Sequence, residues 1–377
     1  MKYVVIGSGV AGVSALKEIV QKADEDDEIR LLTDETYGFY YRPRLIQCLS
    51  GEIGVEDIII NDVEWFEKNG VDLHLDEPAT SVDFSDKIVH TERGRYQYDK
   101  LLLANGANPF VPPVKGTEMD NVFTLRIAED AQRIYSTALE SEKAVVVGGG
   151  LLGLESAYNL QKTGLEVTVL EVNEYLMSQQ LDSIGGEILR RKLSDLGLTC
   201  QVRCVAREII GEERVEKVRL KSGREVEADF VLFSTGIRSN LEPVDDEVIE
   251  TDRGIIVDER MRTSIEDVYA AGDVAQYDQR VYGIWGPSME MGKIAGKNML
   301  DEDASFSGYV PSFTLKVAEV NVTSLGVLEE GDGVYSEVLA EHENYCRVFR
   351  DRDDEPVGAI IVGDYEGESE LVEKINP

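Results

Sequence analysis

The chain has no run approaching the ~20 uninterrupted apolar residues of a membrane-spanning helix. Its first residues, MKYVVIG, enter a strand pattern without a basic segment or a cleavage site. Both absences lead us to expect a cytoplasmic protein with no membrane partner. Cysteine is sparse: Cys48, Cys200, Cys204 and Cys346 make no Cys-x-x-Cys pair and no repeated framework, which excludes a disulfide scaffold and suits a reducing compartment. Cys200 and Cys204 come nearest to a pair, but in the alternating stretch LTCQVRCVAREI an extended chain holds them about 13 Å apart, too far for a bridge. The three histidines, His74, His90 and His342, lie in alternating or polar segments and receive no catalytic role, and no metal site is expected. Basic residues are also few, 38 Lys and Arg against 73 Asp and Glu, and the net charge of −35 excludes nucleic acid as a partner. The acidic surplus fits either a salt-rich cytoplasm or a very soluble surface.

With 377 residues, 42% of them hydrophobic, the chain is long enough for two or three domains with cores of their own, and its composition fits neither disorder nor a fibrous repeat.

One signature occurs twice. The apolar run KYVVIG meets Gly7-Ser8-Gly9-Val10-Ala11-Gly12 and opens the helical pattern VSALKEIVQKA. The run KAVVVG meets Gly148-Gly149-Gly150-Leu151-Leu152-Gly153 and opens LESAYNLQKTG. Strand, glycine turn and helix in this order make a dinucleotide-binding fingerprint. The first glycine permits the turn, the second lets backbone approach a pyrophosphate, the third lets helix pack on strand, and the helix N-terminus stabilises phosphate charge. A lone match is weak; two in the right context are specific. Each is followed by a second strand ending in acid, EIRLLTDE with Asp34 and Glu35, and EVTVLE with Glu171, placed to hold an adenosine ribose. In so acidic a chain each would otherwise read as an exposed strand-end acid. Glu171 is followed by Val172 and Asn173 rather than arginine, so a free ribose 2′-hydroxyl, and hence NADH rather than NADPH, is expected.

Four further stretches are YYRPRL (40–45), YDKLLLANGANP (98–109), FSTGIRSN (233–240) and DVYAAGDVA (267–275). With the two turns, they make residues 1–330 resemble the pyridine nucleotide-disulfide oxidoreductase superfamily, in the branch of NADH:rubredoxin reductases and nitrite reductase flavin domains. The resemblance implies an α/β fold with two Rossmann-like dinucleotide-binding domains of the three-layer ββα type plus a small C-terminal α+β domain. It implies FAD at Gly7, Ser8, Gly9, Val10, Ala11, Gly12, Asp34, Glu35 and Arg42. Ala104 and Gly106, in the turn that closes the flavin domain, join them, although Asn105 stands where the family has threonine. Gly272 and Asp273 follow, the carboxylate of Asp273 reaching a ribityl hydroxyl. Trp285 either covers the cofactors or packs the domain junction. Pro287 is expected to open a helix whose positive end faces the flavin. NADH is implied at Gly148, Gly149, Gly150, Leu151, Leu152, Gly153, Glu171 and Gly236, with Glu155 beside the nicotinamide or, failing that, a partly buried acid on a helix face.

Relatives that reduce disulfides carry paired cysteines, which this chain lacks. A lone Cys48 in RLIQCLSG reads as a helical core thiol rather than a sulfenic-acid centre. The expected reaction is therefore NADH oxidation through FAD with electrons passed directly to a small redox protein such as rubredoxin. Such a partner is usually acidic, so a local basic patch is required; Arg42, Arg44, Arg280, Lys293, Lys297 and Lys316 are its candidates. The rival readings are an NADH oxidase or peroxidase, a nitrite reductase component, and a non-enzymatic NADH-responsive redox sensor.

The DVYAAGD strand must return to the flavin. The expected division is therefore 1–110 with 232–305 for FAD, 111–231 for NADH, and 306–377 as a small third domain containing a hairpin that turns near Asp351 to Glu355. Monomer and homodimer are both compatible with so short a tail.

Overall fold

The computed structural model describes residues 1–309 and 312–375. Strand Lys2–Ile6 lies at the centre of a five-stranded parallel sheet, between Glu28–Leu32 and Lys100–Leu103, with Val71–His74 and Val268–Ala270 outermost. A second five-stranded parallel sheet repeats this plan: Lys143–Val147 sits between Glu166–Leu170 and Phe230–Phe233, flanked by Thr199–Gln201 and Val122–Thr124. The central strands are continuous apolar runs because a parallel sheet is covered on both faces. Each central strand leads through its glycine turn into a helix, Val10–Ile19 in one case and Leu151–Gln161 in the other. Each half also carries a three-stranded antiparallel sheet, at residues 79–97 and 206–227. The expected ββα architecture is present twice.

Val268–Ala270 follows the second sheet in sequence yet pairs within the first, so the chain passes twice between the halves. The two passages meet as an antiparallel pair, Ala107–Pro109 against Ile237–Ser239. Helix Trp285–Met299 then crosses helix Val10–Ile19 at backbone contact. A Cβ on Gly292 would lie 2.2 Å from the Ala11 carbonyl oxygen, and one on Gly296 2.6 Å from that of Ala15. Glycine at these positions is what brings the start of the long helix beside the first glycine turn.

The remainder is a five-stranded antiparallel sheet followed by helix Glu368–Ile375. Its strands Tyr345–Arg350 and Pro356–Val362 form the expected hairpin, closed where the Asp351 N–H donates to the Glu355 carbonyl at 3.0 Å. This sheet docks on the second half: Tyr345 and Arg347 both reach Asp182, whose carboxylate also caps helix Ser183–Asp195 through the Gly185 N–H. No helix among the described residues is long and apolar enough to cross a membrane.

Two local expectations are corrected. The stretch around Cys200 and Cys204 is not continuously extended. Strand Thr199–Gln201 ends in a bend where Arg203 adopts φ +56°, because the N–H groups of Arg203 and Cys204 donate to the carbonyls of Asn173 and Glu171. All four cysteines are free thiols. The long helix begins at Trp285 rather than Pro287, which lies within the first turn, where a missing N–H costs nothing.

Candidate functional site

The two glycine turns share one geometry. Gly7 and Gly148 have φ of +104° and +122°, which a side chain would strain, and their N–H groups donate to the strand-end carbonyls of Leu32 and Leu170 at 2.7 and 2.8 Å. A Cβ on Gly12 would lie 2.0 Å from the Gly7 carbonyl oxygen, and one on Gly153 2.0 Å from that of Gly148. The middle glycines differ: a Cβ on Gly9 or Gly150 meets nothing within 4 Å. Neither helix has a side-chain cap at its N-terminus. Open space above uncapped N–H groups suits a pyrophosphate, and both turns supply it.

A cavity of about 520 Å³ lies over the first turn. All the residues expected around FAD line it except Gly12, which sits beneath, supporting the turn. Leu151, Leu152 and Glu155, from the helix after the second turn, line the same cavity, as does Lys316 of the C-terminal sheet. Gly148, Gly149, Gly150, Gly153, Glu171 and Gly236 lie outside it. They gather at the carboxyl edge of the second sheet, where Glu171 accepts from the N–H groups of Gly149 at 2.6 Å and Asn173 at 2.7 Å. A Cβ on Gly148 would lie 2.0 Å from the carbonyl oxygen of Ser234, two residues before Gly236. Of the six cations proposed as a basic patch, only Arg42 and Lys316 reach the cavity; Arg44, Arg280, Lys293 and Lys297 do not.

The cavity wall carries a chain of charges. The buried carboxylate of Glu35 is ion-paired with Arg42 and accepts from the Tyr40 hydroxyl; Arg42 also donates to the Arg126 carbonyl. Arg126 Nη2 lies 3.3 Å from Asp273 Oδ2, and the Ser288 hydroxyl donates to Asp273 Oδ1 at 3.1 Å. Burial pulls Arg42 toward deprotonation, but Glu35, Tyr40 and Asp273 outweigh it and hold the guanidinium more firmly charged than usual. Burial, then the neighbouring Arg42, lower Arg126. Asp34 keeps contact with solvent, yet desolvation and the adjacent Glu35 raise its carboxyl above the ordinary range. Asn105 donates to the Asn240 carbonyl at 2.6 Å, tying together the two passages between the halves.

Glu155 is the acid at the second helix's end of the cavity. Its Oε1 accepts from the Ala318 N–H at 2.7 Å, and burial raises its pKa against that hydrogen bond. Trp285 both lines the cavity and packs the junction, stacking on Phe39 at 5.7 Å and meeting Tyr41 edge-on at 4.8 Å. Cys48 is buried outside the cavity, and burial pushes its thiol up. Arg126 and Ser288 escaped sequence reasoning. The signal for Arg126 was a lone arginine before an acidic helix start, in LRIAED; Ser288 had none beyond its place in the long helix.

Residues 1–292 match the family model for pyridine nucleotide-disulphide oxidoreductase, and residues 311–376 match that for the rubredoxin NAD+ reductase C-terminal domain. The chain is 35% identical to a nitrite reductase [NAD(P)H] of Bacillus subtilis over 96% of its own length and 45% of the relative's. It therefore spans about half of that protein. It is 32% identical to NADH-rubredoxin oxidoreductase of Clostridium acetobutylicum, over 96% of this chain and 91% of that one. The crystal structure of the Clostridium protein superposes with a TM-score of 0.85 at 30% identity, covering 100% of this chain and 94% of the other. A NAD-dependent persulfide reductase from A. fulgidus gives 0.92 at 28% identity, covering 100% and 76%. The chain thus belongs to the pyridine nucleotide-disulphide oxidoreductase family, whose members are NAD(P)H-dependent oxidoreductases that use FAD.

Proposed function

We propose that this chain is an FAD-dependent NADH oxidoreductase that delivers electrons to a small redox protein such as rubredoxin, without a redox-active disulfide. The observation that carries the reading is the single cavity shared by the first glycine turn, Asp273, and the helix opened by the second turn. A wall shared in this way supports a site where two dinucleotides would meet at their reactive ends, and no cysteine lines it. When bound, FAD supplies the redox chemistry, accepting a hydride from NADH and releasing electrons one at a time.

The chain's own residues bind and align. The backbone of Gly7–Gly12 cradles the flavin pyrophosphate, Asp34 takes an adenosine ribose, Arg42 and Arg126 offset phosphate charge, and Asp273 fixes the ribityl chain. Gly148–Gly153, Glu171 and Gly236 seat NADH, and Leu151, Leu152 and Glu155 orient its nicotinamide. Trp285 shields the cavity from water. In domain terms, 1–110 with 232–305 hold FAD, 111–231 hold NADH, and 306–377 close one wall.

The reading is tested by anaerobic stopped-flow absorbance, mixing the FAD-loaded protein with NADH and then with rubredoxin, oxygen or peroxide. Bleaching by NADH followed by recovery far faster with rubredoxin is expected. Preferential recovery with oxygen or peroxide would replace it with the oxidase reading, and a protein that binds no flavin would end both.

A further inference from the structure

The hairpin joining strands Ser312–Val317 and Val320–Gly326 turns on two residues, Ala318 and Glu319, since Val317 pairs with Val320. Both adopt left-handed backbone, with φ of +45° and +69°. Two-residue hairpins of this kind normally carry Asn-Gly or Gly-Gly, because each side chain at such a φ adds strain. Here neither position is glycine. Local strain of this kind persists only where the surrounding structure holds it, and it marks positions kept for another purpose.

What holds the turn is visible. Val317 and Ala318 are buried in the core cluster of the second half. Lys316 pairs with Glu319 across the turn. The Ala318 N–H points at Glu155 Oε1, across 163 positions of sequence. Among the described residues no hydrogen bond reaches the other oxygen, Oε2, while Glu155 and Lys316 both line the cavity.

We propose that the Ala318–Glu319 turn is a positioning element of the nicotinamide site. Its N–H fixes one oxygen of Glu155 so that the other is presented to the amide N–H groups of a bound nicotinamide. The C-terminal sheet, on this account, acts on pyridine nucleotide through Glu155 and touches no reacting atom itself. A carboxylate tethered by one oxygen has lost most of its rotamer freedom before the ligand arrives, so less remains to be lost on binding.

The inference rests on the proposed NADH site, and the experiment separates the two. NAD+, which binds without turnover, is titrated into the FAD-loaded full-length protein by flavin difference absorbance. The protein is compared with a variant carrying one glycine inserted between Ala318 and Glu319, with Glu155→Ala, and with both together. The insertion and Glu155→Ala are each expected to weaken NAD+ about tenfold, the size of one charge-assisted hydrogen bond, with flavin content retained. The double variant is expected to lose no more than Glu155→Ala alone, because both changes remove the same contact. Wild-type affinity in the insertion variant, or losses that multiply in the double variant, would overturn the inference and leave the NADH site standing. Absence of NAD+ binding to the wild type would overturn both. Should the insertion fail to fold, amide hydrogen exchange at Ala318 decides. Protection is expected to drop at least fivefold in Glu155→Ala and to return in Glu155→Gln, whose amide oxygen still accepts the N–H. Equal protection in all three proteins would overturn the inference.

Discussion

The guanidinium of Arg126 lies 3.3 Å from the carboxylate of Asp273, though 147 positions separate them in sequence. Arg126 follows strand Val122–Thr124 of the second sheet, and Asp273 lies in the turn after strand Val268–Ala270, which returns to the first. The contact therefore forms only when both passages of the chain are in place. It also sets two charges against each other at the cavity wall, with Arg42 adding a second positive charge nearby.

Removing Arg126 is expected to weaken FAD retention more than folding. In Arg126→Ala, Asp273 keeps its Ser288 partner but loses its paired cation, leaving Arg42 as the nearby positive charge, so a bound diphosphate meets more negative charge. We expect FAD affinity to fall at least tenfold, read by flavin fluorescence during titration of the apoprotein. Arg126→Lys should recover part of the loss, because it restores the charge but not the planar fork. Unchanged affinity in Arg126→Ala would remove Arg126 from the site.

The glycines of each turn divide into two classes that mutation should separate. A Cβ at Gly12 or Gly153 collides with backbone, so alanine there is expected to destabilise the fold by about 3 kcal/mol or more. Gly9 and Gly150 have φ of −70° and −83°, which any residue adopts, and face open space. Alanine at these two should leave the apoprotein melting temperature within about 2 °C while weakening one cofactor each, FAD for Gly9 and NADH for Gly150. Paired thermal melts and cofactor titrations check the division; loss of fold in Gly150→Ala would refute it.

The parts of this site that were legible in sequence are those built from local backbone. A strand that must bend sharply and leave a helix N-terminus open needs glycine at fixed spacing, so both turns could be placed to the residue. The Asp273 turn was placed by the resemblance of DVYAAGDVA to the family; in the structure Gly272 has φ +80° and a Cβ there would lie 2.9 Å from the Ala11 side chain. What was not legible depends on distant segments meeting. Glu35, expected with Asp34 at an adenosine ribose, has a carboxylate that also holds Arg42 and Tyr40, contacts no local pattern announces. Of the cations expected to surround the flavin edge, Arg44, Arg280, Lys293 and Lys297 lie off the cavity wall, a placement that depends on how the chain folds and not on composition. The Glu155 and Ala318 contact joins parts of the chain with no common sequence pattern.

Glu171 should govern the choice between NADH and NADPH. Its two oxygens already accept N–H groups of Gly149 and Asn173, which aims its remaining lone pairs; at the proposed ribose site the carboxylate would oppose a 2′-phosphate. Glu171→Ala is expected to raise KM for NADH about tenfold and to lower the NADH to NADPH ratio of kcat/KM by a similar factor. A ratio unchanged in steady-state assays would place the discrimination elsewhere.

Cys48 provides a direct test against the peroxidase reading. Its thiol lies outside the cavity, and burial discourages the thiolate that sulfenic-acid chemistry requires. Cys48→Ala should cost about 1 kcal/mol from lost packing and leave NADH-driven flavin reduction and reoxidation by peroxide within twofold of wild type. A collapse of peroxide-dependent reoxidation alone would reinstate the thiol as a redox centre.

The last expectation concerns acid. Glu77 is buried, and although burial alone would raise its pKa, hydrogen bonds from Thr91, Tyr96 and His74 outweigh it and hold the carboxyl below its ordinary value. A carboxyl that binds its proton less readily when folded stabilises the protein fully above the unfolded pKa of about 4.3. That contribution is lost as pH falls through the lower, folded pKa. The backbone N–H of Glu77 donates to the Thr33 carbonyl at 2.7 Å, and that of Asp76 to the Glu35 carbonyl at 3.0 Å, so this turn braces the loop carrying Asp34 and Glu35. Glu77→Gln is therefore expected to lose about 2 kcal/mol at pH 7, to show a shallower loss of stability below pH 4.5, and to release FAD more readily at neutral pH. Urea unfolding across pH 3 to 7, with flavin fluorescence followed in parallel, measures all three. If the variant kept the wild-type slope below pH 4.5, the acid sensitivity would have to lie in other carboxylates.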